Sequence, residues 1–519
     1  MFWKKVPSVL LLSAAALSPL FIYSGVYEPL WFFKEKFITS SLLMLLAALF
    51  IFAKERISLS GGKLTAYSIY ILSLLLSYFF SQYKNADQLV FQSSCLLALA
   101  LFDRRPDTRK FFDALIFFSA ALSSLAIAEK AGLDLFGWSE GFTGIASTMG
   151  NPNYMAALLC AVLPLPVYEF LRSESRAVRA FYFISFLAIM SGVMLTFTRS
   201  AWAASVLTLL FLAFREKRRL KGRFHFLAVV LASAIAVAVL MPQVKASALS
   251  ALDFRSPSLV QRYLMWKVSL DMAIDNPFAG VGIGNYGRFY LRYQSPYASD
   301  QGRLKFINDT DNAHNLFLHV FAEQGITGLA ALIYLIVFWL KNSGPRVLYP
   351  AVSIMAVSIF TSSFYLPPVF LVAALIMSGK GDKGGPIPLT VGQRSIFAVL
   401  TLVLLVSGLS SFASNVYLEK GLKKAHQGDY AAARLAFADA AALNGSQAEA
   451  PYFTGILEGN GGNHAAAIIS LEKSLKMGYI HNDVHFHLGK LYGMTGRGPA
   501  EKKLYRKAKS INPFIVIND

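Results

Sequence analysis

The sequence predicts an all-α, polytopic membrane protein, and three observations carry that reading. The chain of 519 residues is 55% hydrophobic and only 15% charged, with mean hydropathy +0.49, whereas a soluble globular domain carries about a quarter charged residues. Thirteen apolar runs have lengths near the roughly 20 helical residues that cross a bilayer core. Polar character returns in bulk only from about residue 415, where the sequence also becomes repetitive. The net charge of +19 does not signal nucleic acid, because most basic residues sit in short loops between apolar runs, as in cytoplasmic membrane loops. Cys95 and Cys160 lie inside apolar stretches and read as small hydrophobes, which leaves neither a disulfide framework nor a zinc site.

The thirteen runs lie near residues 7–25, 37–53, 64–80, 87–102, 111–129, 153–171, 180–198, 200–214, 224–241, 315–340, 347–362, 366–378 and 395–412. The first follows Lys4 and Lys5, and with so many spans behind it we read it as a span and not as a cleaved signal. With the N-terminus inside, the cytoplasmic loops hold 23 Lys and Arg, and the short loops of the opposite face hold five. The positive-inside rule then gives the orientation, and thirteen spans put the C-terminus outside. The expected organisation is a membrane domain over 1–414, with a long outward loop at 242–313, followed by outward repeats over 415–519.

The repeats show at a shift of 34. Gly421, Gly455 and Gly489 align, as do Gly428, Gly462 and Gly496, then Ala432, Ala466 and Ala500, and Phe437, Leu471 and Tyr505 fall in register. Small residues at helix contacts with a bulky one behind them, every 34 residues, form the tetratricopeptide pattern, and three repeats are about the minimum for a stack.

Five polar residues from four distant stretches converge on the outward face. His314 sits in "NDTDNAHNLFLHVFAEQGITG" (308–328), beside Asp311 and Asn315, at the outer end of the tenth span. Arg199 lies in the tight turn of "LTFTRSAWA", and Arg262 in "SLVQRYLMWK" of the long loop. Asn151 and Asn153 open the sixth span in "MGNPNYMA". Ionisable residues at membrane depth are functional candidates by default, although an arginine at a helix end also snorkels to headgroups. Arg199 fits that alternative less well, because its face otherwise avoids charge.

For His314 the options are a general base, a metal ligand or a helix cap. His314 and His319 are five apart and diverge around a helix. His319 and Glu323 share a face, where they satisfy each other or a neighbouring helix. "DTDN" opens like a calcium loop but lacks its glycine at position six and glutamate at twelve, so no metal is assigned. An imidazole with an ordinary pKa near 6.5 suits proton abstraction from a hydroxyl. Two arginines suit a diphosphate, being planar, permanently charged and bidentate. Fixed positive charge in a dry site would stabilise a departing diphosphate without magnesium. Together these residues describe glycosyl transfer from a polyprenyl-diphosphate sugar.

Four segments resemble the O-antigen ligase and polymerase superfamily: "NAHNLFLHVFAEQGITGL", "TFTRSAWA", "QRYLMWKVSLDMAIDNPFAGVGIGNY" and "MGNPNYMA", spread over roughly 140–340. The resemblance implies a GT-C-like membrane glycosyltransferase that uses no cofactor and inverts the sugar. It makes His314 the base and gives Arg199 and Arg262 the undecaprenyl diphosphate. It also implies a bacterial inner-membrane location, with lipid A–core as first choice of acceptor and protein Ser/Thr or a growing polysaccharide as the others. The family includes protein O-oligosaccharyltransferases, and the motifs do not separate these branches. A transporter of the same lipid is the competing class, but it calls for charges across the whole bilayer, which these spans lack.

Beyond this set, Arg288 and Arg292 form an i, i+4 pair if their loop is helical; they face donor or solvent. Trp266 and Tyr263 stack on sugars or seat the loop on the membrane. Glu323 could orient a catalytic group, though it reads as more than two turns into the span. Gly280, Gly282 and Gly284 lack a surrounding strand–helix unit and read as a turn and not a phosphate cradle. The repeats could bind a partner protein.

Overall fold

The computed structural model describes residues 32–52, 58–101, 108–133, 145–220, 257–298, 310–342, 344–365, 367–377, 386–479 and 484–511. The expected spans at 7–25 and 224–241 lie outside these residues. The other eleven runs are all helical: α1 (Phe32–Phe52), α2 (Gly61–Phe80), α3 (Asp87–Leu101), α4 (Thr108–Lys130), α5 (Pro152–Val162) continued by α6 (Pro164–Arg172), α7 (Arg176–Leu195) and α8 (Arg199–Arg215). The segment expected as a long loop contains α9 (Pro257–Asp275) and α10 (Tyr286–Ala298). After it come α11 (Leu316–Lys341), α12 (Pro345–Ser358), α13 (Pro367–Met377) and α14 (Val391–His426). Among the described residues, six helices are long and apolar enough to cross a membrane: α2, α4, α5 with α6, α7, α11 and α14. α3, α8, α12 and α13 are apolar but shorter.

Burial sorts these helices into layers. The α5–α6 pair is the enclosed centre, 94% buried over its apolar window, whereas α14 is 11% buried and presents Val399, Val403 and Val406 outward. Phe79, Ile184, Leu210 and Phe214 are likewise exposed, as an exterior that meets lipid requires. Pro164 and Pro166 explain why the central span is two helices, since proline removes an amide donor and crowds the preceding turn.

Loops expected to share a face meet one another. At one end the basic loops come together. β1 (Ser58–Ser60) pairs antiparallel with β2 (Pro386–Pro388), Arg346 Nε lies 2.6 Å from Glu169 Oε1, and Arg172 and Arg219 both reach the Glu216 carboxylate at 3.4 Å. At the other end Asn85 Nδ2 donates to the Gly284 carbonyl at 3.0 Å, Asn285 Nδ2 donates to the Tyr83 carbonyl at 2.8 Å, and Ser362 Oγ donates to Asn312 at 2.9 Å.

The expected domain boundary at 414 falls inside α14, which runs 36 residues without a break, roughly 54 Å. Its last turns form the first of three helical hairpins, with α15 (Tyr430–Leu443). α16 (Glu449–Asn460) pairs with α17 (His464–Lys476), and α18 (Val484–Met494) with α19 (Gly498–Ile511). The 34-residue register is physical. A Cβ on Gly421 would stand 2.4 Å from the Phe437 ring, one on Gly455 2.6 Å from Leu471, and one on Gly489 2.6 Å from the Tyr505 ring. Gly428, Gly462 and Gly496 end the first helix of each hairpin at φ +79°, +81° and +75°, the left-handed turn that glycine permits.

The decisive irregularity is in α11. At Gly325 (φ +64°) the helix breaks, and the strap 277–284 between α9 and α10 crosses it there. The amides of Ile326 and Thr327, which in a regular helix would bond Ala322 and Glu323, donate instead to the carbonyls of Pro277 (2.8 Å) and Phe278 (3.4 Å). The freed carbonyls of Ala322 and Glu323 accept from Val281 and Gly282, both at 2.9 Å. Two helical bonds thus become four between segments, so the groups freed by the break are paired, as apolar surroundings require. The backbones touch: a Cβ on Gly280 would lie 2.2 Å from the Glu323 carbonyl carbon, and one on Gly325 would lie 2.4 Å from that of Phe278. Gly325→Ala therefore combines left-handed strain with a backbone collision. We expect a loss of about 2–4 kcal/mol, measured as a lower unfolding temperature of the purified protein, with Ala330→Gly, at an exposed position of the same helix, as a control for helix propensity.

Candidate functional site

Three turns at the non-basic end bring the expected residues together, and each contains a non-glycine residue with positive φ: Ser147 (+47°), Phe197 (+51°) and His314 (+49°). Such conformations cost energy and persist only where neighbours over-determine them.

The first turn leads into α5. Asn151 is its N-cap, accepting from the Asn153 amide at 2.9 Å, with Pro152 at the first helical position. Asn153 in turn accepts from Thr198 Oγ at 3.4 Å, which joins the first turn to the second. Thr198 precedes Arg199, the first residue of α8. This second turn is braced by Thr196 Oγ and Trp202 Nε1, which donate to the Val193 carbonyl at 2.7 and 3.2 Å. Arg199 is therefore held half-buried at a helix start.

Arg262 lies within the first two turns of α9, half-buried. Burial lowers its pKa from the ordinary arginine value, and the Arg199 charge lowers it further, so the two guanidinium groups lie close enough to repel. Among the described residues no carboxylate makes an ion pair with either. One turn beyond Arg262, Trp266 faces Phe360 with ring centroids 6.3 Å apart, and its buried Nε1 has no partner among the described residues.

The third turn, 310–314, leads into α11. Thr310 Oγ donates to the Asn312 carbonyl at 3.2 Å, and the His314 amide donates to Asn312 Oδ1 at 3.1 Å. Asn315 is the N-cap of α11, accepting from the Leu318 amide at 3.0 Å. The His314 ring lies just outside the helix with its buried Nδ1 unpartnered among the described residues. Burial and then the Arg262 charge lower its pKa from 6.5 to about 4, with Asp311 pulling the other way. The imidazole is thus neutral at pH 7. Asp311 itself is exposed and accepts from Asn312 Nδ2 at 2.9 Å.

His314, Arg262 and Arg199 therefore form one electrostatic group, and Asn151, Asn153 and Asn315 build the helix starts beneath it. Arg288 and Arg292 do share a helix, α10, but Arg288 points elsewhere: it lies over the Tyr83 ring at 5.8 Å and is held as a cation by Glu449 of the second hairpin against the burial that lowers its pKa. Arg292 is exposed. Gly280, Gly282 and Gly284 form the strap turn. Among the described residues no three His, Cys, Asp or Glu side chains gather in a metal-binding group.

Sequence reasoning undervalued Glu323. The break at Gly325 and the Ser77 hydroxyl, which donates to the Glu323 carbonyl at 2.7 Å one turn before the end of α2, place it near the non-basic end of the bundle, beside the break, and not within a continuous span. Its carboxylate, 1% exposed, accepts from the amides of Gly284 and Tyr286 at 2.9 Å each and from the Tyr365 hydroxyl at 2.7 Å. His319 Nε2 lies 3.6 Å away. An anion at the N-terminus of α10 is where the helix dipole favours it. Tyr365 and the strap amides carry no sequence signal beyond the glycine spacing.

Removal of the Asn315 cap should cost about 1 kcal/mol. Asn315→Ala should lower the unfolding temperature of the detergent-purified protein, and Asn315→Asp, which keeps the acceptor, should restore most of it.

Residues 183–333 match the O-antigen ligase family model, a stretch that contains Arg199, Arg262, His314 and Glu323. No curated protein sequence matched the chain. The chain thus carries an O-antigen ligase domain over those residues, which supports a place in the O-antigen ligase superfamily.

Proposed function

We propose that the protein transfers a glycan from undecaprenyl diphosphate to a hydroxyl of lipid A–core at the periplasmic face of the bacterial inner membrane. The observation that carries this reading is His314: a neutral imidazole whose Nδ1 has no partner among the described residues, held near Arg262, which lies in turn near Arg199, the two arginines having no carboxylate partner among the described residues. A site with two unneutralised cations next to a base matches a substrate that brings two negative charges and a reaction that needs one proton removed. The basic loops meeting at the opposite end support an orientation with that end, and the N-terminus, in the cytoplasm.

In this mechanism the acceptor hydroxyl gives its proton to His314 as its oxygen attacks the anomeric carbon from the face opposite the diphosphate. The bond between that carbon and the phosphate oxygen breaks, and the configuration inverts. The electron pair leaves with undecaprenyl diphosphate, whose growing charge is met by Arg199 and Arg262. The proton on His314 then passes to water or to the departing diphosphate. Asn151, Asn153 and Asn315 hold the helix starts that aim these groups, and Asp311 moderates the imidazole from the exposed side. The chain's own residues supply the fixed charge, and no cofactor enters the scheme. The three hairpins, which we take as tetratricopeptide repeats on the periplasmic side, form the second domain.

A general base contributes about 10²–10⁴-fold, so His314→Ala should lower turnover by that factor with donor binding retained. Arg199→Lys and Arg262→Lys should raise the donor KM, since lysine lacks the bidentate fork. The pH profile has a definite sign. A base whose pKa is lowered to about 4 is lost only below that pH, so kcat/KM, which reports the free enzyme, should stay flat from neutral pH down to about pH 5. Bound diphosphate stabilises the imidazolium, so the acid limb of kcat should lie higher. The acceptor is read in a strain lacking the protein. Long glycans accumulating on undecaprenyl diphosphate, with lipid A–core left bare, support ligation. Long glycans with lipid A–core still decorated would mean a protein acceptor, and single repeat units on the carrier would mean polymerisation.

A further inference from the structure

We infer that Glu323 is a positioning residue for His314: one buried carboxylate ties together both walls of the turn that carries the imidazole. This rests on the reading of His314 as the base. Glu323 follows His314 by nine residues, most of them helical, so it stands roughly 13 Å along the axis and does not reach the reacting atoms.

The first wall is α10. Glu323 accepts from Gly284 and Tyr286 at the start of that helix. The next residue, Gly287, lies against the turn so closely that a Cβ there would stand 3.3 Å from the Asp311 Cα and 3.5 Å from the Thr310 carbonyl oxygen. The second wall is the segment 361–365. Tyr365 donates to Glu323 at 2.7 Å, and three residues earlier Ser362 donates to Asn312 Oδ1 at 2.9 Å, the same oxygen that accepts the His314 amide. His314 holds φ +49°, a conformation the backbone does not keep unaided. Both supports of that conformation lead back to one side chain.

Glu323→Gln keeps the size but leaves one acceptor oxygen and turns an amide NH2 toward groups that themselves donate. The seat of His314 should loosen. Misplacement of about 1 Å costs as much as 10²-fold, so we expect kcat to fall by about that factor with the donor KM within about twofold of the parent.

The second readout is the titration of His314 itself, followed in histidine-labelled protein in nanodiscs by carbon-13 NMR and assigned by the resonance missing from His314→Gln. The charged groups facing the imidazole are Arg262 from α9, Asp311 from its own turn and His319 from α11; the first two are untouched by the substitution, whereas His319 loses the carboxylate 3.6 Å from its Nε2, so the titration is compared in a His319→Gln background. Removal of the Glu323 charge alone would move a nearby imidazole down. A loosened, better hydrated imidazole moves up, from about 4 toward 6.5. The expected result is a rise.

A fall in kcat with the His314 titration unchanged, or both unchanged at parental thermal stability, overturns the inference. Should Glu323→Gln not fold, Tyr365→Phe removes one wall alone and is read the same way, with a smaller rise expected and an unchanged titration counting against. An active His314→Ala would instead overturn the base assignment and leave the titration result standing.

Discussion

A break in one helix governs this structure. A span that ran unbroken from Leu316 to Lys341 would satisfy its own backbone and offer nothing to its neighbours. Because Gly325 turns left-handed, the carbonyls of Ala322 and Glu323 and the amides of Ile326 and Thr327 become available to the strap, and backbone polar groups beside lipid must find partners. The strap can approach because Gly280 and Gly325 both lack a Cβ at the crossing. Loss of either glycine would push the segments apart and break the four bonds between them. The same crossing sets where α9 ends and α10 begins, and so where Arg262 and the wall beside His314 stand.

The site is assembled from helix starts, and this has an electrostatic consequence. Arg199 opens α8 and Arg262 lies near the start of α9, so two cations sit at the ends of helices where the dipole already favours anions. Burial lowers Arg262, and the Arg199 charge lowers it further, so the two cations repel each other. A diphosphate would remove that repulsion. Burial, and after it the Arg262 charge, keep His314 neutral, so an anion bound at the arginines would also raise the imidazole without touching it.

How far the site could be read from the sequence divides along physical lines. Helices were legible because lipid exposure and core burial both demand apolar side chains, and eleven runs correspond to helices. The hairpins were legible because Gly421, Gly455 and Gly489 recur where a bulky ring or Leu471 needs the space. His314, Arg199 and Arg262 were legible because charge beside an apolar run is costly. Glu323, Tyr365 and the strap were not. Their bonds join residues 37 to 246 positions apart, and nothing local announces them. α9 also hid, since its polar and apolar residues suit a loop on hydropathy alone, yet its Leu264, Met265, Val268 and Met272 are buried in the cluster that also holds Tyr286, Tyr290 and Ala322.

The hairpins are joined to this framework and do not merely follow it. α14 carries the chain from the bundle into the first hairpin as one helix, which limits bending at the junction. A second tie lies at Tyr83, whose ring packs on Phe289 at 5.9 Å, lies beneath Arg288, and stands where a Cβ on Gly478 would come within 2.3 Å. Glu449, from the second hairpin, is pushed up by burial, against which its backbone hydrogen bond and the Arg288 charge pull down, so an electrostatic attraction links the second hairpin to α10. α19 of the third hairpin also lies against α10. The helix that Glu323 caps is therefore one on which the hairpins rest. That shared support explains why a surface helix outside the bundle should be fastened by a buried carboxylate and not by packing alone.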